Sequence, residues 1–388
     1  MSEPAVSLPA PAPSATEPAA ERPPSPLLRR EGAVAAEGMD AGVAWHYGNP
    51  TREQRLLVEG LAVVDLSFRG VVTVTGPDRL SWLHSLTTQH LTALPPRTST
   101  ETLVLTPKGH IEHDLHLVDD GEITWITCEP GTNQALTHWL TSMRFMLRVE
   151  VTDRTSELAV VGEPTDREGA LGEPVTWRDP WPVVADGGAS YAAVDETVRV
   201  PVRRPGPPRS SGPTAQAEAA HAPADPHPGL DWSWREVIVP RDELERYVGD
   251  RPLAGTWALE ALRVAAWRPR FGHETDHRTI PHEVDWLRTA VHLHKGCYRG
   301  QETVARVHNL GRPPRRLVML HVDGSANVLP APGADVMVGD RAVGHITSSA
   351  RHYELGPIAL ALVKRNLALD AQVTVAGIAA AQEAVVAP

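Results

Sequence analysis

Only two cysteines, Cys128 and Cys297, occur in 388 residues. So few exclude a secreted disulfide framework, and they cannot alone hold an iron–sulfur cluster, which usually takes four thiolates. No window approaches the ~20 apolar residues of a membrane-spanning helix. The start of the chain, Met1-Ser2-Glu3-Pro4-Ala5, has no basic stretch leading into an apolar run. No signal peptide is therefore expected, and the expected compartment is the cytoplasm. Basic residues are outnumbered, 37 Lys and Arg against 48 Asp and Glu, for a net charge of −11. That argues against direct nucleic-acid binding, which needs a basic face, though not against a local basic groove for a small anion. Nothing reads as a glycine-rich phosphate loop, a serine triad or a solenoid repeat.

What is present is a soluble-type composition, 41% hydrophobic and 22% charged, with 36 prolines that cluster. Residues 1–45 are rich in Ala, Pro, Glu and Ser and are expected to form a disordered tail. Residues 166–228 read as an irregular region whose proline-rich part, from Val202 to Pro228, is a linker or surface insertion. Between them Gly70–Thr75 alternates with β-branched residues, a strand. Gly76-Pro77-Asp78 is a turn, with Asp78 placed to cap a helix carrying Leu80, Leu83 and Leu86. Strands are expected near Thr102–Thr106, Ile111–Val118 and Glu122–Cys128, a helix near Thr132–Phe145, and strands at Leu147–Val151 and Leu158–Val161. Helices follow at Pro240–Tyr247, Trp257–Trp267 and from Gln301. From Arg315 the pattern turns to short strands broken by Gly and Pro, a small closing β-barrel. The order implies an α+β fold with a largely antiparallel sheet. Its body would be built from residues 46–165 and 229–311, with residues 312–388 as the C-terminal barrel.

The segment Lys295-Gly296-Cys297-Tyr298-Arg299-Gly300-Gln301-Glu302 carries the chemistry. Lys295 and Arg299 put two cations within two residues of the sulfur, and a helix opening after Gly300 adds a positive dipole end. Such surroundings favour a reactive thiolate. The plain alternative is a small buried hydrophobe, the commonest state of a free cysteine. Gly296 and Gly300 permit a sharp bend and close approach of a ligand.

This segment resembles the signature of the YgfZ family of folate-binding proteins. Arg270–Glu283, Val304–His308, Gly311 and Arg315-Arg316-Leu317 continue the likeness, which covers residues 46–388 except the linker. The YgfZ family in turn is similar to the glycine-cleavage T-protein (aminomethyltransferase). The resemblance implies mixed α/β subdomains around a central folate cavity, with tetrahydrofolate or a derivative as cofactor. Gly109-His110-Ile111-Glu112-His113-Asp114-Leu115 matches the T-protein's folate strand and implies Asp114 at the pterin, where a carboxylate accepts ring N–H groups. Leu262-Arg263-Val264-Ala265-Ala266-Trp267 matches its helix and implies Arg263 at the glutamate tail, although Ala265 and Trp267 replace the Glu and Gly of that pattern. Tyr298 and Gln301 join them as folate contacts, and Cys297 with Lys295 would carry the chemistry.

The thiol is a departure from the T-protein, which has none at that place, and argues against simple aminomethyl transfer. The YgfZ resemblance instead implies upkeep of iron–sulfur proteins, tRNA-modifying enzymes among them, as clients. A folate-dependent transferase activity, as in an aminomethyltransferase, and a non-enzymatic folate-binding scaffold are the alternatives. His273, His277, His282, His292 and His294 crowd one stretch but match no metal motif; a polar cavity rim is expected there, and no metal. Arg312–Arg316 reads as a solvated entry into a strand, and Cys128 as structural.

Overall fold

The computed structural model describes residues 23–164, 174–193 and 226–387. The chain begins with short strands β1 (Val34–Ala35) and β2 (Ala44–His46), helix α1 (Pro50–Val58), then β3 (Val63–Asp65) and β4 (Gly70–Thr75). Helix α2 (Arg79–Leu86) leads into β5 (Ser99–Leu105), β6 (Ile111–Asp119) and β7 (Ile123–Cys128). Helix α3 (Asn133–Ser142), β8 (Glu150–Asp153) and β9 (Leu158–Glu163) follow, then β10 (Thr176–Arg178), β11 (Arg235–Pro240), α4 (Leu244–Val248), β12 (Leu253–Ala254), α5 (Thr256–Ala265) and α6 (Gln301–Leu310). The last strands are β13 (Arg315–Val322), β14 (Asp335–Val338), β15 (Arg341–His352), β16 (Gly356–Lys364), β17 (Val373–Val375) and β18 (Ile378–Ala384).

These make two five-stranded sheets, a barrel and the small antiparallel pair β1–β2. The first sheet, β5-β6-β7-β4-β8, is antiparallel throughout; the second, β10-β11-β9-β3-β12, has one parallel pair, β12 with β3. The barrel closes in the order β13-β16-β15-β14-β17-β18. The expected α+β architecture with a C-terminal barrel is thus the observed one. No helix among the described residues is long and apolar enough to cross a membrane.

Packing explains the local choices. On the first sheet Val72, Val74, Leu115, Leu117 and Ile126 meet Trp82 and Leu83 of α2 and Leu136 and Leu140 of α3, all buried. Cys128 lies in this core, a structural thiol as expected. Helix α5 stops at Ala265, short of Trp267, because Trp267 takes a left-handed φ of 58°. Its ring is held in the core, with Nε1 donating to the Met319 sulfur at 3.0 Å.

Three expectations need correcting. Of the tail expected over residues 1–45, residues 1–22 lie outside the described residues, while 23–45 pack onto the body. Leu27 and Val43 are fully buried, each contributing about 1.5–3 kcal/mol of apolar burial. Likewise, of the irregular region over 166–228, residues 166–173 and 194–225 lie outside the described residues, but Thr176–Arg178 is a strand and Trp177 and Trp181 are buried. Finally, Asp78 sits at the N-cap of α2, but its side chain makes no capping bond to the helix. Its carboxylate instead accepts from the Arg148 backbone N–H (2.9 Å) and from Arg148 Nε (3.0 Å) and Nη2 (2.8 Å). That pins the α3–β8 connection as a turn, and β8 starts three residues later than the pattern suggested.

Gly76 makes this contact possible. It has φ +104°, and a Cβ there would lie 2.0 Å from the Arg148 carbonyl oxygen. Gly76→Ala is expected to cost about 3 kcal/mol of stability through backbone strain and displacement of the turn. A urea denaturation series on the two proteins measures it, and an unchanged midpoint would refute the account.

Candidate functional site

Alternation along β6 sets the site. Asp114 and His116 share a face of the strand, and β5 pairs with β6 so that Glu101 stands directly opposite His116. Helix α5 brings Glu260 and Arg263, one turn apart, toward the same place. The loop after it returns with Arg268, Arg270 and Glu274. Arg69 before β4, Glu129 after β7 and Glu236 on β11 complete the ring. Together with Leu66, Phe68, Trp232, Trp234 and Thr256 most of these residues line a central cavity.

The charged groups pair in a continuous network. Arg69 bridges Glu236 and Glu129, the latter at 2.9 Å. Arg270 reaches Glu129 (2.9 Å), Asp40 (2.8 Å) and Glu260 (3.1 Å). Arg268 holds Glu101 (2.6 Å) and Asp179 (2.9 Å). His116 places Nδ1 3.1 Å from Glu236 and Nε2 3.5 Å from Asp114, while its ring stacks on Trp177 at 3.7 Å. Burial works against charge on this imidazole, but the facing carboxylates of Glu236 and Asp114 outweigh it and push its pKa up to about 9. Glu236 moves the other way. Burial would raise it, yet Arg69 and His116 hold it down at about 2.

Asp114 and Arg263, both expected at the folate, line this one cavity. Their states differ. Asp114 is buried, and its Oδ1 has no hydrogen-bond partner among the described residues. Arg263 has every donor spent. Its Nε serves Glu260 (3.0 Å), Nη1 serves the Arg268 carbonyl (2.7 Å) and Glu274 (2.8 Å), and Nη2 serves Glu260 (2.6 Å) and Ser348 Oγ (2.8 Å). A guanidinium so committed has nothing left for a glutamate tail. It is a strut between α5, the following loop and barrel strand β15. Three further buried polar atoms on the lining, Arg69 Nε, Arg268 Nη1 and Thr256 Oγ1, lack partners among the described residues. Sequence reasoning missed these, and Glu101 and His116 with them. The alternation of β6 placed His116 beside Asp114, but no short motif marks the β5 and loop residues.

The Lys295–Glu302 segment lies elsewhere. Cys297 is exposed, and neither it nor Lys295, Tyr298 or Gln301 is among the residues lining the cavity. The cations expected beside the sulfur are engaged with other groups. Lys295 Nζ donates to the carbonyls of His84, Thr87 (2.6 Å) and Gln89 (3.0 Å) around the end of α2, where a helix C-terminus welcomes a cation. Burial there lowers its pKa to about 7. Arg299 pairs with Glu112 at 2.9 Å and lies over Trp139. Tyr298 is packed in the core beside Leu105, Ile111 and Val304. Gln301 Nε2 donates to the Lys295 carbonyl at 3.4 Å. The expected helix start is present, since α6 begins at Gln301 with Gly300 before it at φ +84°. A Cβ on Gly300 would lie 2.5 Å from the Thr106 carbonyl oxygen, so this turn is built against the β5–β6 hairpin. The histidines expected on one rim are dispersed. His282 is buried against Tyr191, whereas the ring of His292 neighbours that of His294 and, through His90, that of His84 beside Gly296.

If Arg263 is a strut, Arg263→Met should strand Glu260 and Glu274 and cost about 3–5 kcal/mol of stability. Chemical denaturation reads this out; a variant as stable as the parent would show that the network tolerates the loss.

Two family descriptions match the chain: the GCVT N-terminal domain over residues 26–163 and the glycine cleavage T-protein C-terminal barrel domain over residues 315–388. An aminomethyltransferase from Streptomyces avermitilis is 27% identical over 345 residues, 87% of each chain. A chloroplastic protein of Arabidopsis thaliana described as a transferase is 25% identical over 326 residues, 82% of this chain and 69% of its own. Among solved structures, the glycine cleavage system aminomethyltransferase T from Bartonella henselae superposes with a TM-score of 0.66 at 17% identity, covering 93% of this chain and 95% of that one, and so shares the fold. With both terminal domains matched over more than half of its length, the chain belongs to the glycine-cleavage T-protein-like family.

Proposed function

We propose that the chain binds tetrahydrofolate or a derivative in the central cavity, and that it acts in the upkeep of iron–sulfur proteins through Cys297. The observation that carries the first part is the unpartnered, buried Asp114 Oδ1. A buried acceptor without a donor is costly, and ring N–H groups of a reduced pterin would satisfy it. Arg69 Nε and Arg268 Nη1 offer donors to ring acceptors, and Trp232, Trp234 and Phe68 offer flat apolar surface. The cavity itself holds only about 50 Å3, room for water and not for a bicyclic ring. Binding therefore goes with an outward movement of its wall. When bound, a reduced folate supplies nitrogens that hold or take up a one-carbon group. Asp114 would orient the ring, and the surrounding ion pairs would keep bulk water out.

Because Cys297 is exposed and lies off the cavity lining, its thiol is read as acting outward, on a client protein, rather than on the ring. Lys295 serves by anchoring the loop to α2. In this reading the folate site and the thiol are two stations on one molecule, working in the cytoplasm. The match to proteins named aminomethyltransferase over 87% of the chain favours a second reading, aminomethyl transfer. Tetrahydrofolate-dependent release of ammonia from an aminomethyl-lipoyl carrier would select it.

Calorimetric titration with 5-formyltetrahydrofolate tests the site. Asp114→Ala should weaken binding at least tenfold, about 1.4 kcal/mol; equal affinity would remove Asp114 from the site. For the thiol, Cys297→Ala expressed in a strain lacking the protein should fail to restore iron–sulfur enzyme activity. Full restoration would end the thiol role and leave a folate-binding scaffold.

A further inference from the structure

If Asp114 is to accept hydrogen bonds from a ring, its carboxylate must be free to do so. A second carboxyl group stands beside it. Glu101 on β5 faces the same space, and one carboxylate oxygen from each residue and one ring nitrogen of His116 lie within 4.8 Å of one another. Both acids are out of water, Glu101 at 0% and Asp114 at 5% exposure. Two carboxylates this close in a dry setting repel strongly, and one of them retains a proton to higher pH than usual.

The neighbours of Glu101 leave one oxygen, Oε2, able to carry a proton. Oε1 accepts from Arg268 Nη2 (2.6 Å) and Trp286 Nε1 (3.1 Å). Oε2 accepts from the Thr289 hydroxyl, a group that can turn and accept instead. A proton on Oε2 can thus be given to Thr289 without losing either bond on Oε1. Asp114 has no such partner on Oδ1. The charged and titratable groups facing Glu101 are Arg268, Asp114, Asp179 and His116. Burial is the largest influence, and Arg268 and, less strongly, His116 oppose it. Asp114 and Asp179 add to the burial, and the Glu101 pKa is pushed up to about 7.

A cation held by the same three side chains is the competing use. His116 speaks against it, because its two nitrogens face carboxylates of Glu236 and Asp114 and both act as donors. The imidazolium already fills the cationic place.

We propose that Glu101 and Asp114 hold one proton between them near neutrality, carried on Glu101, so that Asp114 remains the open acceptor of the cavity. Glu101 is then a positioning residue that acts through Asp114, and this inference rests on the folate reading for its purpose. A ring seated in the cavity displaces the water left there and favours the protonated pair, so ligand binding is tied to proton retention on Glu101.

Two measurements on the full chain separate the pair from the folate reading. Carbon-13 NMR of labelled glutamate carboxyls should show one resonance with a midpoint near pH 7, absent in Glu101→Gln. A Glu101 carboxyl that titrates below about pH 5 overturns the pair. Calorimetry with 5-formyltetrahydrofolate should show wild-type affinity falling about tenfold between pH 6 and 8.5, with a flat profile for Glu101→Gln, which imitates the protonated acid. A flat wild-type profile, or a step retained in Glu101→Gln, overturns the positioning role while leaving the folate reading intact. Absence of any wild-type binding ends the folate reading, and the NMR midpoint still decides whether the pair shares its proton.

Discussion

The buried network centred on Arg263, Arg270, Glu129 and Glu260 is the interaction on which the rest depends. Removing an ion from water costs several kcal/mol, and only close pairing with further hydrogen bonds recovers it. Here the partners come from every part of the body. Asp40 belongs to the N-terminal segment, Glu129 to the first sheet and Glu260 to α5. Ser348 and Thr347, both bonded to Glu274, belong to the barrel. The network therefore acts as a joint. A shift of any one unit would leave charges of the others unpaired, which is why the cavity lies where these units meet.

The same strand links the two places that matter. Asp114 faces the cavity, while Glu112, two residues earlier on β6, holds Arg299 of the cysteine segment. Gly109 at the start of the hairpin lies against Thr303 of α6 so closely that a Cβ there would come within 2.7 Å of it. The exposed sulfur is thus mounted on the hairpin that also carries the cavity carboxylate, with Lys295 tying the loop to the end of α2. Apart from this shared scaffold, the two places are lined by different residues.

Legibility from sequence followed the physics of each signal. Strand β4 is legible to the residue because β-branched alternation and a flanking Gly act locally. Strand β18, Ile378–Ala384, was not placed. Its alanine-rich sequence has no strand preference of its own and pairs with β13 through tertiary contact. Residues 23–45 read as tail because composition hides the single anchors Leu27, Val43 and Asp40. For the site, residue type near Asp114 and Arg263 was informative about place but not about state. Only three-dimensional neighbours reveal that Arg263 has no donor to spare while Asp114 Oδ1 has no partner. The cations beside Cys297 failed for the same reason: adjacency in sequence did not decide where the Lys295 and Arg299 side chains point.

A cavity assembled from committed ion pairs selects by what is left over. The pairs around it bring seven carboxylates, of Asp40, Asp114, Glu129, Asp179, Glu236, Glu260 and Glu274, and the carboxyl group of Glu101, against four guanidiniums and one imidazolium. A carboxylate entering this space would meet an excess of its own sign in a low-dielectric setting, where such contacts are expensive. A neutral heterocycle meets instead the residual groups, one acceptor on Asp114 and donors on Arg69 and Arg268. On the proposed folate reading, a ligand with a mixed donor–acceptor edge and an anionic tail would enter in one orientation, its ring inward and its charge toward solvent. The strut role of Arg263 agrees with this polarity, since a free guanidinium at the bottom of the cavity would have invited the opposite one.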